Sequence, residues 1–356
     1  MHCAENFLFL ELEVDTLNIF LTGATGFVGA QLIHRLAQDT EHHLYILYRD
    51  EAKKNKLIAQ LPDASLHFVK GDITEEHCGV DLTAYNLPEM DYFYHLAALV
   101  KFDEELRQQL FEINLEGTRH ALALAVSLHT KHFLYVSTAY TVGQHEYAKE
   151  ELHPLSRPVN NPYEESKLQA EHAVMHAPMK KSILRPAIII GDSETGEADS
   201  KFTLYGFMKA LKIFRRKMSR QQSSQQYKLR GNDKGTSNLV PVDYVVKVLT
   251  EAIHAEDNKI YHITNNQPPT NMEILEIIKK HLDFDQLIVS PESEKSHMTE
   301  EEQLLNSYIS VFDPYFKKSV VFEDHNTAQL LAKSGQSLLN LSPAQLDMII
   351  RTYLLK

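Results

Sequence analysis

Cysteine is nearly absent: Cys3 and Cys78 are the only two in 356 residues. Two thiols cannot build a disulfide framework, and with no CxxC spacing there is no zinc ligand set, so a reducing compartment is expected. Long apolar runs are missing too. No stretch approaches the roughly 20 residues of a membrane-spanning helix, and the patch Phe7 to Leu10 is ringed by Glu5, Glu11, Glu13 and Asp15. A secretory signal needs a positive start and a longer apolar core; the expectation is a soluble, cytoplasmic protein with no membrane span. Positive charge is in the minority, 36 Lys and Arg against 48 Asp and Glu. That balance argues against a nucleic-acid partner, because gripping phosphates needs a cationic face. No GxSxG elbow marks a serine hydrolase. His172 and His176 lie four apart beside Glu171, but not in HExxH order and with no third ligand, so no metal site is expected. The other paired histidines, His42 with His43 and His129 with His132, flank β-rich runs and read as surface or edge residues.

What is present is ordinary globular composition, 43% hydrophobic and 24% charged, in a chain long enough for a large core. Its first half alternates β-rich runs with helical patterns. Strands are expected at Asn18–Leu21, Leu44–Tyr48, Leu66–Val69, Tyr92–His95 and His132–Ser137, with a sixth beginning at Ser182–Leu184. Between them lie helices over Phe27–Ala37 and about Asp50–Gln60, and a long helical stretch from His95 to Lys131. Strands spaced by helix-length segments predict a parallel sheet with right-handed crossovers, an α/β fold. From Lys212 to Ser237 the cations Lys212, Arg215, Arg216, Lys217, Arg220, Lys228 and Arg230 surround a Gln/Ser run. That segment reads as a solvated loop, or as a basic lip over an acidic or phosphorylated substrate. Order returns at Asn238–Val242, with a helix from Asp243 and a strand at Lys259–Ile263; beyond Thr270 helical signals dominate. The expected division is a cofactor domain at 1–190 and 239–264, with a smaller, mostly helical substrate lobe at 191–238 and 265–356.

Three glycines, Gly23, Gly26 and Gly29, fall between the first strand and the first helix in Thr22-Gly-Ala-Thr-Gly-Phe-Val-Gly29. Gly23 permits a tight turn, Gly26 a close backbone approach to a pyrophosphate, and Gly29 helix-to-strand packing. The helix N-terminus adds N–H groups and a favourable dipole. In strand–loop–helix context this is a dinucleotide-binding loop of a doubly wound, Rossmann-type sheet, with Thr25, Phe27 and Val28 beside the cofactor. An NAD enzyme usually ends its second strand in Asp or Glu, which would repel a 2′-phosphate. Here the strand ends Tyr48-Arg49-Asp50. Arg49 suits adenine stacking and a 2′-phosphate, while Asp50 reads as a cap of the next helix. NADP(H) is therefore expected ahead of NAD(H). Asp72, with Ile73 after it, falls where the adenine amino group would lie, and Thr74 reads as a helix cap.

Tyr163 and Lys167 stand one helical turn apart, on one face. A free tyrosine, with its pKa near 10, is a poor acid or base at neutral pH; a nearby ammonium is expected to lower that value. Thr138, or Ser137 beside it, ends the fifth strand where hydroxyls reach the crevice shared by cofactor and substrate.

The order of these strings resembles the extended short-chain dehydrogenase/reductases. Within them the chain is most similar to male-sterility-type reductase domains acting on acyl thioesters: fatty acyl-CoA reductases, carboxylic acid reductases and terminal reductases of peptide or polyketide synthases. Besides the glycine loop, the resemblance rests on Tyr94-His-Leu-Ala-Ala98, Asn114-Leu-Glu-Gly-Thr118, Val136-Ser-Thr138, Asn161-Pro-Tyr-Glu-Glu-Ser-Lys167, Leu184-Arg-Pro186, Ile190-Gly-Asp-Ser-Glu-Thr-Gly196 and Asn238-Leu-Val-Pro-Val-Asp-Tyr244. It covers roughly residues 18 to 264. It implies that Thr138 is the catalytic hydroxyl, that Ala97 and Ala98 floor the nicotinamide side, that Pro186 and Ile188 lie against the carboxamide, and that Asn114 supports the site. Where Pro162 stands, the family often has Gly or another small residue.

The expected activity is NADPH-dependent reduction of an acyl thioester or the derived aldehyde, with a small-molecule or carrier-protein-bound substrate. Homodimerisation through helices at about 103–128 and 162–177 is a further expectation of the resemblance. The rival readings are an NAD-dependent sugar-nucleotide epimerase/dehydratase, a dihydroflavonol-type ketone reductase and a non-catalytic dinucleotide sensor.

Overall fold

The computed structural model describes residues 16–38, 41–198, 204–219, 225–232, 234–290, 297–310, 315 and 318–356. Its strands are β1 (Asn18–Thr22), β2 (His43–Tyr48), β3 (Leu66–Lys70), β4 (Tyr92–His95), β5 (His132–Val136), β6 (Tyr147–Ala148), β7 (Lys180–Pro186), β8 (Ile188–Ile190), β9 (Tyr227–Leu229), β10 (Leu239–Pro241), β11 (Lys259–Ile263), β12 (Leu287–Val289) and β13 (Val321–Phe322). Seven of these form one all-parallel sheet in the order β3-β2-β1-β4-β5-β7-β11. The order reverses between β1 and β4, which opens a crevice at the strands' carboxyl ends, where ligands of such sheets bind. Sequences such as Ile19-Phe-Leu21 and Leu44-Tyr-Ile-Leu-Tyr48 are apolar at successive positions because both faces of the sheet are covered.

The crossover helices are α1 (Phe27–Leu36), α2 (Glu51–Gln60), α3 (Arg107–Phe111), α4 (Gly117–Ser127) and α5 (Pro162–Met175). In α1 the buried positions Gly29, Leu32, Ile33 and Leu36 recur at helical spacing. The N-terminus of α5 is specified locally: the Asn161 side chain accepts from the Glu164 N–H, and Pro162 occupies the first turn, where its missing N–H is not needed. Asp50 caps α2 as expected, accepting from the N–H groups of Ala52 and Lys53.

Two expectations change. The stretch from His95 to Lys131 is not one helix: residues 96–103 run as a loop across the end of the sheet. Beyond them α3 and α4 flank a π-helical turn, Glu112–Glu116. The side chain of Asn114 holds the loop in place through the N–H and carbonyl of Leu99, at 2.8 and 3.0 Å. The basic segment from Lys212 is not a loop at its start. It lies on α6 (Leu204–Met218), whose Leu204, Tyr205, Phe207, Met208, Leu211, Phe214 and Met218 form a buried stripe. The charges occupy the other face, and their density conceals the apolar periodicity. Arg220 lies outside the described residues, and Lys228 belongs to β9.

Around α6 gathers a separate apolar cluster, contributed by α8 (Asn271–Leu282), α9 (Glu300–Ile309) and the helix Pro343–Leu355. Two further clusters cover the faces of the main sheet, one with α1 and α7 (Val242–Glu251), the other with α4 and α5. The short pair β8–β10 leads from the sheet toward the α6 cluster.

Several histidines are core groups. His42 and His132 are buried, unlike the reading as surface or edge residues; His132 is covered because β5 is an interior strand, and it meets Ser182 of β7 at 2.9 Å. Deeper still, Arg185 of β7 makes a two-point ion pair with Glu171 of α5, at 2.8 and 2.6 Å, with both side chains fully buried. Its remaining nitrogen Nη1 donates to Nε2 of His153 and of His262, each at 3.3 Å. Both rings therefore accept and are neutral. Burial, reinforced by the Arg185 charge, lowers His153 to about 2 and His262 to about 3. Burial, with a contribution from the Lys167 charge, lowers His95 to about 3.

These values lie below that of an unfolded histidine, about 6.5, so the unfolded chain takes up protons first on acidification. The contribution of these three histidines is complete above about pH 6.5 and falls below it, by up to about 1.4 kcal/mol per pH unit for each. The thermal midpoint is expected to drop steeply from about pH 6.5 to 4.5, and His262→Gln, which keeps an acceptor for Arg185, to flatten that slope. An unchanged slope in the variant would contradict the assignment.

Candidate active site

The glycine loop is shaped by backbone contact. Gly23 has φ +73°, and a Cβ there would lie 2.5 Å from the Ala97 nitrogen. At Gly29 a Cβ would come within 2.2 Å of the Gly23 carbonyl oxygen and 2.7 Å of the Ala24 Cα. The N-terminus of α1 begins at Gly26 with no side-chain cap and no acidic residue in its first turn. First-turn N–H groups thus face the loop as donors for an anion, the provision a dinucleotide pyrophosphate needs.

A cavity of about 390 Å³ opens beside this loop. Gly23, Gly26, Phe27, Val28 and Gly29 line it together with Thr138, Tyr163 and Lys167. Ala98, Pro186 and Ile188 complete the set that the sequence places together, and Ser137 shares the Thr138 wall. Ala97 stands behind the floor, its N–H directed at the Thr22 hydroxyl at 3.4 Å. Thr25 faces an adjoining cleft of about 560 Å³, together with His34, Lys53 and Lys56. Arg49 extends into solvent at the end of β2 and pairs with Asp72 at 2.8 Å. Asp72 also accepts from the N–H and hydroxyl of Thr74, so Thr74 closes a turn at Asp72. Ile73 turns away: its side chain meets Gly117 of α4, and its carbonyl accepts from His120.

The candidate groups Thr138, Tyr163 and Lys167 stand beside a chain of buried polar contacts. Thr22 of β1 meets His95 of β4 at 2.7 Å, and His95 meets Thr118 of α4 at 3.1 Å. The Thr118 hydroxyl donates to the Asn114 carbonyl at 2.6 Å. Asn114 Nδ2 in turn donates to the Ser166 hydroxyl, which donates to the carbonyl of Tyr163. Lys167, 2% exposed, donates to the carbonyl of Val136 at 2.8 Å and stands 4.2 Å over the ring of Tyr135. Burial lowers its pKa to about 7, against the opposing charge of Glu171. The Tyr163 phenol is raised by burial and then by Glu164, with the Thr138 hydrogen bond working in the other direction. The expected lowering by the ammonium is not what the structure displays, because Lys167 is committed to Val136 and its own charge is disfavoured. The result is a phenol held in its protonated form.

Residues without a sequence signal also reach the cavity. Phe102, Tyr140 and Tyr315 form its far wall. Tyr140 follows the Ser137-Thr138 string, but Tyr315 comes from the other end of the chain, and no local pattern ties it to Tyr163. Among the described residues no group of three His, Cys, Asp or Glu is placed to hold a metal, and no helix is long and apolar enough to cross a membrane.

Gly29→Ala is expected to abolish dinucleotide binding, since the added methyl group meets loop backbone rather than a movable side chain. Titration of NADPH fluorescence with this variant checks the expectation; unaltered affinity would show that the loop does not cradle the cofactor.

Comparison with known proteins agrees with this geometry. The model of the male sterility protein family, an NAD-binding domain, matches residues 21–249. A linear gramicidin synthase chain of Brevibacillus parabrevis is 31% identical over 199 residues, covering 49% of this chain and 4% of the synthase. The chain spans about half the length, or far less, of the curated relatives it matches first. Among solved structures, the terminal R domain of the myxalamid PKS-NRPS pathway superposes with a TM-score of 0.75 at 24% identity, covering 95% of this chain and 91% of that one. A thiolation-reductase di-domain from an archaeal non-ribosomal peptide synthetase gives 0.74 at 19% identity, covering 96% and 75%. The chain belongs to the male sterility protein family of NAD-binding domains.

Proposed function

We propose that the chain reduces the carbonyl of an acyl thioester, or of the aldehyde derived from it, with NADPH. The observation that carries this reading is the cavity wall: among the described residues that line it, Lys167 alone carries a charge. Aromatic and aliphatic groups face the place a substrate would take, which suits an acyl group and offers nothing to pair with a nucleotide diphosphate there. The family match and the gramicidin synthase relative support the same class.

The glycine loop and the first turn of α1 hold the pyrophosphate. Arg49, with Lys53 and Lys56 on the neighbouring cleft, supplies cationic partners for a 2′-phosphate. Bound there, the nicotinamide supplies the hydride. The phenol of Tyr163 donates its proton to the substrate oxygen, and the hydroxyl of Thr138 donates a second hydrogen bond to it; with a thioester the resulting hemithioacetal then breaks its C–S bond, releasing the thiol and leaving the aldehyde. Burial keeps that proton on Tyr163 until the oxygen becomes basic. Lys167 orders the end of β5 through Val136 and lies within the same cavity for the nicotinamide ribose. The α6 cluster and the segments 191–238 and 265–356 act as the substrate lobe over the cofactor domain. The exposed Arg216 and Lys217 at the end of α6 offer a cationic edge for coenzyme A phosphates or an acidic carrier protein.

NADPH oxidation with acyl-CoA, acyl-carrier, ketone and sugar-nucleotide substrates tests the reading. Turnover of thioesters or aldehydes is expected; turnover confined to ketones or sugar nucleotides would overturn it. Tyr163→Phe should lower kcat by about 10²–10⁴-fold while NADPH still binds. Arg49→Glu should raise the KM for NADPH roughly tenfold or more and leave that for NADH nearly unchanged, since the lost group is a charge-assisted phosphate contact.

A further inference from the structure

The far wall of the cavity is made of rings that the proton chemistry does not use. Phe102 comes from the loop 96–103, Tyr140 from the turn after β5, and Tyr315 from the C-terminal part of the chain. They touch edge to face and at a tilt: Tyr315 lies 4.9 Å from Tyr140 at 90° and 5.4 Å from Phe102 at 42°. Phe102 in turn stands edge-on to Tyr163, at 5.9 Å. The rings thus form a continuous aromatic lining that ends at the catalytic phenol.

Tyr315 is held there by the catalytic helix itself. Its hydroxyl donates to Oε1 of Glu164 at 2.8 Å and accepts from Nδ2 of Asn161 at 2.8 Å. Glu164 is fully buried directly after Tyr163, and also accepts from the N–H and Nδ2 of Asn160. A buried carboxyl with this many donors is expensive to break up, because each donor would be left unsatisfied. The wall is therefore fixed, and the space beside it is small. About 390 Å³ must serve both the nicotinamide end and the substrate, which is near the lower limit of ligand sites, roughly 300–1,000 Å³.

We propose that Tyr315 is a specificity-determining residue: with Phe102 it forms an aromatic slot that admits a compact, flat, uncharged acyl end and excludes long chains, while Glu164 and Asn161 are positioning residues that hold the slot in place. This rests on the carbonyl-reductase reading and narrows its substrate class. An aryl group presents a face to the two rings and gains stacking beyond its area, about 0.5–1.5 kcal/mol per aromatic pair, and a short acyl group fits the space without displacing either ring. A long alkyl chain would have to displace a ring whose hydroxyl is anchored at both ends.

The test compares benzaldehyde, butanal and decanal as substrates, and binding of benzamide and decanamide, as unreactive analogues, to the NADPH-loaded chain. The expected result for the unaltered protein is a higher kcat/KM for benzaldehyde and butanal than for decanal. In Tyr315→Ala the benzaldehyde-to-decanal ratio should fall at least tenfold, through KM rather than kcat. Tyr315→Leu, which keeps bulk without a ring, should also lose the preference for benzaldehyde and secures the result if the Ala variant does not fold. Glu164→Ala, which removes the acceptor of the Tyr315 hydroxyl, should lower the ratio with NADPH affinity preserved. A ratio unchanged in both Tyr315 variants, or decanal as the best substrate of the unaltered protein, would overturn the proposal while leaving carbonyl reduction intact. If no carbonyl is turned over but benzamide binds more tightly than decanamide in a Tyr315-dependent way, the slot stands and the reductase reading fails.

Discussion

Lys167 is an amine carried almost completely out of water, where its charged form is disfavoured, and the rest of the site is arranged around that burial. Taking a charge from solvent costs several kcal/mol unless other groups compensate. Here the compensation is a carbonyl at the end of β5, the face of Tyr135, and Glu171 one turn further along α5. Glu171 is itself buried and is matched by Arg185 of β7. The chain of requirements then continues to His153 and His262, which must remain neutral to accept from Arg185. One buried lysine on α5 thus demands an ordered polar layer beneath that helix, which joins it to β7 and β11.

The same logic explains the upper side of the helix. Asn114, on a π-helical turn, ties the loop 96–103 and the first turn of α5 to each other. Such turns occur mainly as single insertions at functional sites. Fixing that loop also fixes Phe102, so the polar network that positions Tyr163 positions part of the apolar wall opposite. Tyr163 and Phe102 are therefore set by common elements rather than by independent ones.

Much of this was legible in the residues. The sheet strands and the glycine loop follow from short-range patterns: apolar runs between turns, and glycines where a Cβ would strike backbone. Tyr163 and Lys167 share a helix face by spacing alone. What escaped was of two kinds. The apolar stripe of α6 was hidden by its own dense cations, because charge is read more readily than period. Burial of His132 and the placement of Tyr315 depend on which strands and segments become neighbours, and nothing local encodes that. The protonated state of Tyr163 is a third instance: the Tyr–Lys spacing suggests a lowered pKa, but depth of burial reverses the direction.

The central claim is that hydride from NADPH reaches an acyl carbonyl in this cavity. Its most direct test is incubation of the protein with NADPH deuterated at the transferring position and a panel of acyl thioesters and aldehydes, with mass spectrometry of the products. The account predicts one deuterium per reduction step, bound to the former carbonyl carbon, and its loss in Tyr163→Phe. Products without deuterium, or conversion of a sugar nucleotide with no net consumption of NADPH, would contradict it.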